Sequence, residues 1–259
     1  MNSKICFYFF KYETNFFTSL NAGLVNSNFQ MQALYATLIC MRTKSQGILL
    51  QAIPYLGKGR IFKIFTEDAG LITLIAKKPS LALLSPFCIA EWLYQKKQSE
   101  IFTLTECSLT DSLDGLRQSY AAITAAGSMA QDLLRTQLPG KTSPALYKLL
   151  SCYLKKILIF DHPTILAASF RLKLLLHEGL LALQSSCSHC NEEACYLIQG
   201  ESVCSSHASS QAIGFTVPEW EILHCLTFAK QFSQLQQIDY PLSLQQPLTA
   251  LFEERTKNQ

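Results

Sequence analysis

Two pairs of metal-ligand residues, Cys187-Ser-His-Cys190 and Cys204-Ser-Ser-His207, stand thirteen residues apart, and no other feature of the chain constrains its fold as strongly. A gap of two residues lets one tight turn aim both side chains at a single ion, and two such turns supply the four ligands of a tetrahedral zinc. Four protein ligands leave no open position for water or substrate, so the site reads as structural. His189 and Cys195 lie in the same stretch and compete with His207 for the fourth position.

The remaining cysteines, Cys6, Cys40, Cys88, Cys107, Cys152 and Cys225, are scattered singly and do not form a disulfide framework. Such frameworks belong to small secreted chains, whereas 259 residues with 49% hydrophobic content can build a core without staples. The apolar run Ile5–Phe10 is interrupted by Lys11 and Glu13, too early for a secretion signal or a membrane span. A reducing cytoplasm is the expected compartment. Residues 1–40 are rich in Asn, Phe and Tyr without periodicity, and Met41-Arg-Thr-Lys-Ser has the look of a natural start. The expectation is an upstream extension or a poorly ordered arm.

From Ser45 onward, short apolar runs alternate with turn signals. Gly47–Ile53 ends at Pro54, Arg60–Thr66 at Glu67-Asp-Ala-Gly70, Leu71–Ala76 at Lys77-Lys-Pro79, and Phe87–Tyr94 at Gln95-Lys-Lys97; Glu100–Glu106 closes the series. Five strands at about ten-residue spacing predict a small antiparallel barrel of the OB type. After Thr110 the apolar period becomes helical. Leu113, Leu116, Tyr120, Ile123, Met129 and Leu133 predict a first helix before Pro139-Gly140. Leu146 through Leu158 predict a second from about Pro144, and a third, apolar nearly all round, runs from Thr164 to about Gln184. Thr216 and Pro218 open a fourth helix carrying Trp220, Leu223, Phe228 and Phe232; a last one runs from about Pro247 through Leu248, Leu251 and Phe252. The fold class is therefore α+β: an N-terminal extension (1–40), a five-stranded OB-fold barrel (41–110), and an all-helical domain (111–259) that carries a structural zinc loop (187–207).

Gly47-Ile-Leu-Leu50, Ile64-Phe-Thr-Glu-Asp-Ala-Gly-Leu71, Ile75-Ala-Lys77 and Leu174-Leu-Leu-His-Glu-Gly179 ahead of the first cysteine pair, taken in that order from Met41 to the C-terminus, resemble the RecO family of bacterial recombination mediators. The resemblance implies a non-enzymatic DNA-repair protein. It would bind single- and double-stranded DNA, promote annealing, and help load RecA together with RecR and single-stranded-DNA-binding protein. The barrel would be the main nucleic-acid surface and the helical part would contribute to partner docking. Two departures stand out: only Lys77-Lys78 occupies the position where the family has a basic flexible stretch, and His207 stands where a cysteine is frequent.

Net charge is +3, and +2 without Lys4, Lys11 and Glu13, so the chain has no extended basic field. Candidate phosphate contacts are Lys58, Arg60 and Lys63 near the first hairpin, Lys77 and Lys78 after the third strand, and Lys96 and Lys97 before the fifth. Tyr55, Phe62 and Tyr94 are placed to add base stacking, or else the aromatics fill the barrel and the lysines solubilise its turns. Catalytic signatures fail. Gly140-Lys-Thr142 has Arg135 where a P-loop needs its first glycine, and Gly57-Lys-Gly59 has Phe62 in place of the third glycine of a dinucleotide fingerprint. No His-x-Glu precedes the cysteines as a zinc deaminase requires. His177-Glu178 lacks the second histidine of a metalloprotease helix and reads as a helix-surface pair. Two other readings stay open: a zinc-stabilised interaction scaffold with little DNA affinity, and a hydrolytic zinc enzyme using three ligands with Glu192 or Glu193 as base.

Overall fold

A computed structural model describes residues 42–57, 59–77, 84–96 and 99–257. Five strands, β1 (Arg42–Tyr55), β2 (Gly59–Thr66), β3 (Gly70–Ala76), β4 (Ile89–Gln95) and β5 (Ile101–Asp111), close into a barrel in the order β1-β2-β3-β5-β4. All pairings are antiparallel except β3 with β5. This is the OB-type barrel expected, and alternation explains it. Phe62 and Ile64 of β2, Ile72 and Leu74 of β3, and Trp92 and Tyr94 of β4 fill the interior, because successive strand residues point to opposite faces. Gly47 is required beside this core: a Cβ there would meet Ile64 Cγ2 at 2.7 Å. Its carbonyl also accepts the Trp92 indole N–H at 3.0 Å.

The strand boundaries differ from expectation most at β1, which begins at Arg42 and not Gly47, and at β5. β1 runs through Pro54 because its ladder with β4 ends at Ile48, so among the described residues its distal half has β2 alone as strand partner. Proline is tolerated on such an edge. β5 extends to Asp111 by pairing along the whole of β4, with irregularities at Ile89/Ala90 and Leu93/Tyr94.

The opposite parity on one wall supplies a second core. Ile48, Leu50, Phe65, Leu71, Phe87 and Ile89 are buried with the helices rather than inside the barrel. Helix α1 (Tyr120–Thr136) is N-capped by Ser119, whose Oγ accepts from the Ala122 N–H, and is preceded by a short 3-10 turn at Asp114–Gln118. The single expected helix is thus two elements, and Tyr120 sits exposed at the joint. Helix α2 (Pro144–Ile157) starts at its proline as predicted. Helix α3 (Pro163–His177) packs against α1, α2, α4 (Val217–Phe228) and α6 (Gln245–Thr256), which explains its all-round apolarity. It stops at His177, short of Gln184, because Gly179 adopts φ +69 and the Gly179 and Leu180 amides turn back to Leu176 and Leu175. Helix α4 opens with the expected Thr216, which forms a reciprocal capping box with Glu219. It ends before Phe232, which begins the separate helix α5 (Phe232–Gln236). Among the described residues no helix is long and apolar enough to cross a membrane.

Two polar devices lock these parts. Arg171 of α3 donates to both carboxylate oxygens of Asp132 on α1, at 2.8 and 3.1 Å, to Thr249 of α6 at 3.2 Å, and lies over the Phe252 ring. Burial pushes the Asp132 carboxyl above its ordinary range despite the opposing pull of Arg171. Asp132→Asn, which weakens two charge-assisted bonds without a cavity, is expected to cost about 2 kcal/mol in denaturant unfolding. The second device lies at the end of α3. Glu178 is buried, not on a helix surface as expected, and accepts from Gln137 at 2.8 Å and Lys141 at 2.6 Å. This holds the 137–141 loop, whose Gly140 N–H donates to the β3 carbonyl of Leu71 at 3.1 Å. The barrel is thereby tied to the helices.

Candidate metal centre and barrel surface

The two ligand turns are built by backbone hydrogen bonds before any ion is considered. The Cys187 amide donates to the Glu192 carbonyl at 2.7 Å and the Asn191 amide returns to the Cys187 carbonyl at 3.2 Å, with Asn191 in the left-handed region at φ 62. Asparagine tolerates that conformation better than most residues. The second turn closes from the His207 amide to the Cys204 carbonyl at 3.2 Å. Between the turns the chain forms β6 (Tyr196–Ile198) and β7 (Glu201–Val203), joined by β8 (Ile213–Gly214) in the order β7-β6-β8. The stretch expected to be a zinc loop contains a small sheet.

This sheet is fixed to residues 182–184 at two points, and the chain just before them is held to α6 at a third. The Ala182 amide donates to Gly200 O at 2.8 Å. Ser202 Oγ accepts from the Gln184 amide at 2.9 Å. Arg255 of α6 donates to Leu180 O at 3.0 Å.

The ligand atoms of Cys187, Cys190, Cys204 and His207 all lie within 4.8 Å of one another, a group that could hold a metal ion. Cys190 Sγ is 3.5 Å from Cys204 Sγ, and His207 Nδ1 is 3.3 Å from Cys204 Sγ and 3.6 Å from Cys187 Sγ. Burial pushes the Cys187 thiol up, but the backbone amides of His189, Cys204 and Cys190 outweigh it and bring it down to about 6. Cys190 is lowered by the Glu192 amide, yet burial and the neighbouring Cys204 and Cys187 sulfurs carry it up to about 11. Three sulfurs and one imidazole nitrogen are a donor set that fits zinc. Cys187, Cys204 and Val203 form a small buried cluster behind the ligands, while Cys190 and His207 face outward. The two competitors for the fourth position fall outside the group: the His189 ring is 5.2 Å from the His207 ring, and the Cys195 amide is bonded into the sheet at Val203 O.

On the barrel, Arg60 and Lys63 lie along β2, half-buried, and Lys77 and Lys96 are exposed after β3 and β4. Lys58, Lys78 and Lys97 lie outside the described residues, as does the 1–40 extension. The structure corrects two of the three aromatics: Phe62 and Tyr94 have no exposed surface and belong to the barrel core, Tyr94 stacking on Phe102 with centroids 5.6 Å apart. Tyr55 is 41% exposed. Sequence reasoning passed over Leu56, which is 80% exposed at the hairpin tip. Its signal was an apolar residue inside the Tyr-Leu-Gly-Lys turn.

In the helical half, a groove of about 460 Å³ runs between α2, α3 and the α4–α5 junction, lined by Leu149, Tyr153, Phe228 and Phe232. Lys173 donates into its wall, to the Thr227 and Ala229 carbonyls at 2.9 and 2.8 Å. It thereby caps the end of α4.

Barrel, helical half and closed ligand cluster together define an OB-barrel protein with a Cys/His-clustered helical domain. Residues 41–113 match the family model described as Recombination protein O N terminal. The DNA repair protein RecO of Chlamydia pneumoniae is 32% identical over 217 residues, covering 80% of this chain and 86% of the relative. That of Chlamydia trachomatis serovar L2 is 30% identical over 223 residues, covering 82% and 91%. That of Rubrobacter xylanophilus is 31% identical over a shorter stretch of 156 residues, covering 57% of this chain and 61% of the relative. The chain belongs to the RecO family.

Proposed function

We propose that this protein is a cytoplasmic, non-enzymatic mediator of DNA repair and homologous recombination. It binds single- and double-stranded DNA, promotes annealing of complementary strands, and helps load RecA with RecR and single-stranded-DNA-binding protein. The observation that carries this reading is the likeness to proteins named for DNA repair, which spans both the barrel and the helical half. The geometry supports it. Arg60 and Lys63 on β2, Lys77 after β3 and Lys96 in the β4–β5 connection border the strand 2–3 face and the loops that OB folds use for oligonucleotides. The cluster at Cys187, Cys190, Cys204 and His207 holds a structural zinc. Closed by four protein ligands, it has no place for a metal-bound water, which disfavours a hydrolytic role for Glu192 or Glu193. The helical groove is the surface available for docking a partner.

The test is annealing of complementary strands coated with single-stranded-DNA-binding protein, with and without RecR. Acceleration by the protein, increased by RecR, is the expected result; unchanged rates in both cases refute the mediator. A second reading, a zinc-stabilised scaffold with negligible DNA affinity, is favoured by the exposed Ile53, Tyr55, Leu56 and Ile101 of the barrel. A salt series on a labelled single strand separates the two. The four described cations predict a log–log slope of about 3 in magnitude, at about 0.7 per neutralised phosphate. No binding even at low salt leaves the scaffold.

A further inference from the structure

We infer that the tip of the β1–β2 hairpin, Tyr55-Leu56, is a base-stacking contact for single-stranded nucleic acid, an inference that rests on the proposed function and names which form of DNA the barrel face prefers and how. Three observations converge on it.

The first is an unrepaid cost. Leu56 is 80% exposed and sits at φ 23, in a turn continued by Gly57 at φ 65. A bulky residue at positive φ is strained where Asn or Gly would relax, and its apolar surface faces water with no packing in return. Strain of this kind persists where a contact uses it.

The second is shape. Among the described residues β1 has, from Gln51 onward, β2 as partner on one side only, so Ile53, Pro54, Tyr55 and Leu56, all exposed, follow an edge that no described strand covers. An open edge would invite strand addition by a protein, but Pro54 blunts it. What remains is a narrow apolar tip.

The third is charge. Strands β1, β2 and β3 contain no Asp or Glu, while β2 carries Arg60 and Lys63 and Lys77 follows β3. The register sets Lys63 beside Gln51 and Thr73, and sets Ile61 beside Ile53 and Ile75, so on the outward face one row carrying a cation lies next to one apolar row, while Arg60, paired with Pro54 and Ala76, has the parity of the barrel interior and reaches the rim. A chain whose backbone is anionic and whose bases are flat and apolar matches both rows. A duplex keeps its base faces in the stack, so the tip discriminates in favour of single strands.

The test uses the full chain with a 2-aminopurine-labelled single strand and a duplex of the same sequence, across a salt series. Tyr55→Ser/Leu56→Asn changes exposed residues and suits the turn, so its Tm should equal that of wild type. Its single-strand affinity should fall about tenfold, the scale of one lost base–aromatic stack, and the 2-aminopurine signal should be lost. Salt slope and duplex affinity should stay. Lys63→Ala/Lys77→Ala should do the converse, keeping the signal at saturation while the slope drops by about 1.4. Wild-type-like single-strand affinity and signal in the tip variant overturn the inference and leave the proposed function standing; the tip would then be a protein contact. Equal losses on single strand and duplex overturn it as well. Failure of the wild type to bind either form overturns both.

Discussion

Removing the proposed zinc, by a chelator or by Cys204→Ser, is expected to unfold residues 182–215 while the barrel stays folded. Residues 182–215 contain strands of two or three residues and a small buried cluster of Cys187, Val203 and Cys204, and of the segment's buried residues only Leu183, Ala194, Leu197 and Phe215 join the helical core. A sheet that small is not stable by itself in water, and ordering each of its residues costs about 1–2 kcal/mol in backbone entropy. A structural zinc supplies on the order of 10 kcal/mol, which is the dominant local term. Cys204 is the position of choice because its sulfur faces both Cys190 and His207. Elemental analysis should give one zinc per wild-type chain and none for Cys204→Ser. Hydrogen exchange should become fast across β6 to β8 and at the Ala182 amide, which is bonded to Gly200. His189→Ala and Cys195→Ser should each retain the ion, since neither atom belongs to the four-membered group. His207→Cys should also retain it, with the cobalt-substituted protein shifting toward an all-thiolate spectrum. An ion bound by Cys204→Ser with wild-type stability would refute the structural role.

How far the chain announced this arrangement depends on the range over which each feature acts. The ligand pairs were legible because two-residue spacing is a local property, and the barrel because alternation survives in single strands. The same alternation, carried further, assigns Phe62 and Tyr94 to the interior with Ile64 and Trp92, so for these two the reading in which the aromatics fill the barrel is the one that holds. The end of α3 was signalled by Gly179 but obscured by the apolar Leu180-Leu-Ala-Leu183 that follows; those residues are apolar because they pass under the small sheet, with Leu181 and Leu183 buried. Glu178 gives no local sign of burial: its partners Gln137 and Lys141 are 41 and 37 residues away. Nor does Pro54 disclose an edge strand until the partner of β1 beyond Ile48 is known.

The least legible feature carries the last prediction: Gly70→Ala should damage the junction between barrel and helices more than any exposed substitution. Gly70 ends the Thr66–Gly70 turn at φ +65, and its carbonyl accepts the Thr66 hydroxyl at 2.9 Å. That conformation alone costs an alanine about 1 kcal/mol. A Cβ there would also fall well inside the van der Waals contact distance to the Lys141 carbonyl oxygen. Backbone meets backbone at this point, so no rotamer can relieve the clash, and overpacking adds about 1–3 kcal/mol more. Relief requires the 137–141 loop to withdraw, which breaks the Gly140–Leu71 bond and the Leu71–Pro139 bridge and pulls on Lys141 where it pairs with the buried Glu178. The expected loss is about 3–5 kcal/mol, a large part of the 5–15 kcal/mol that holds an ordinary domain. Because Leu71 and Phe65 of the barrel share the helical core, the loss should appear as lowered cooperativity between the two halves, with barrel and helix signals separating in a denaturant series. Lys141→Ala provides the control. It removes the half-exposed ammonium and keeps the carbonyl, so it should cost far less than Gly70→Ala if the backbone contact, and not the ion pair, is what joins the barrel to the helices.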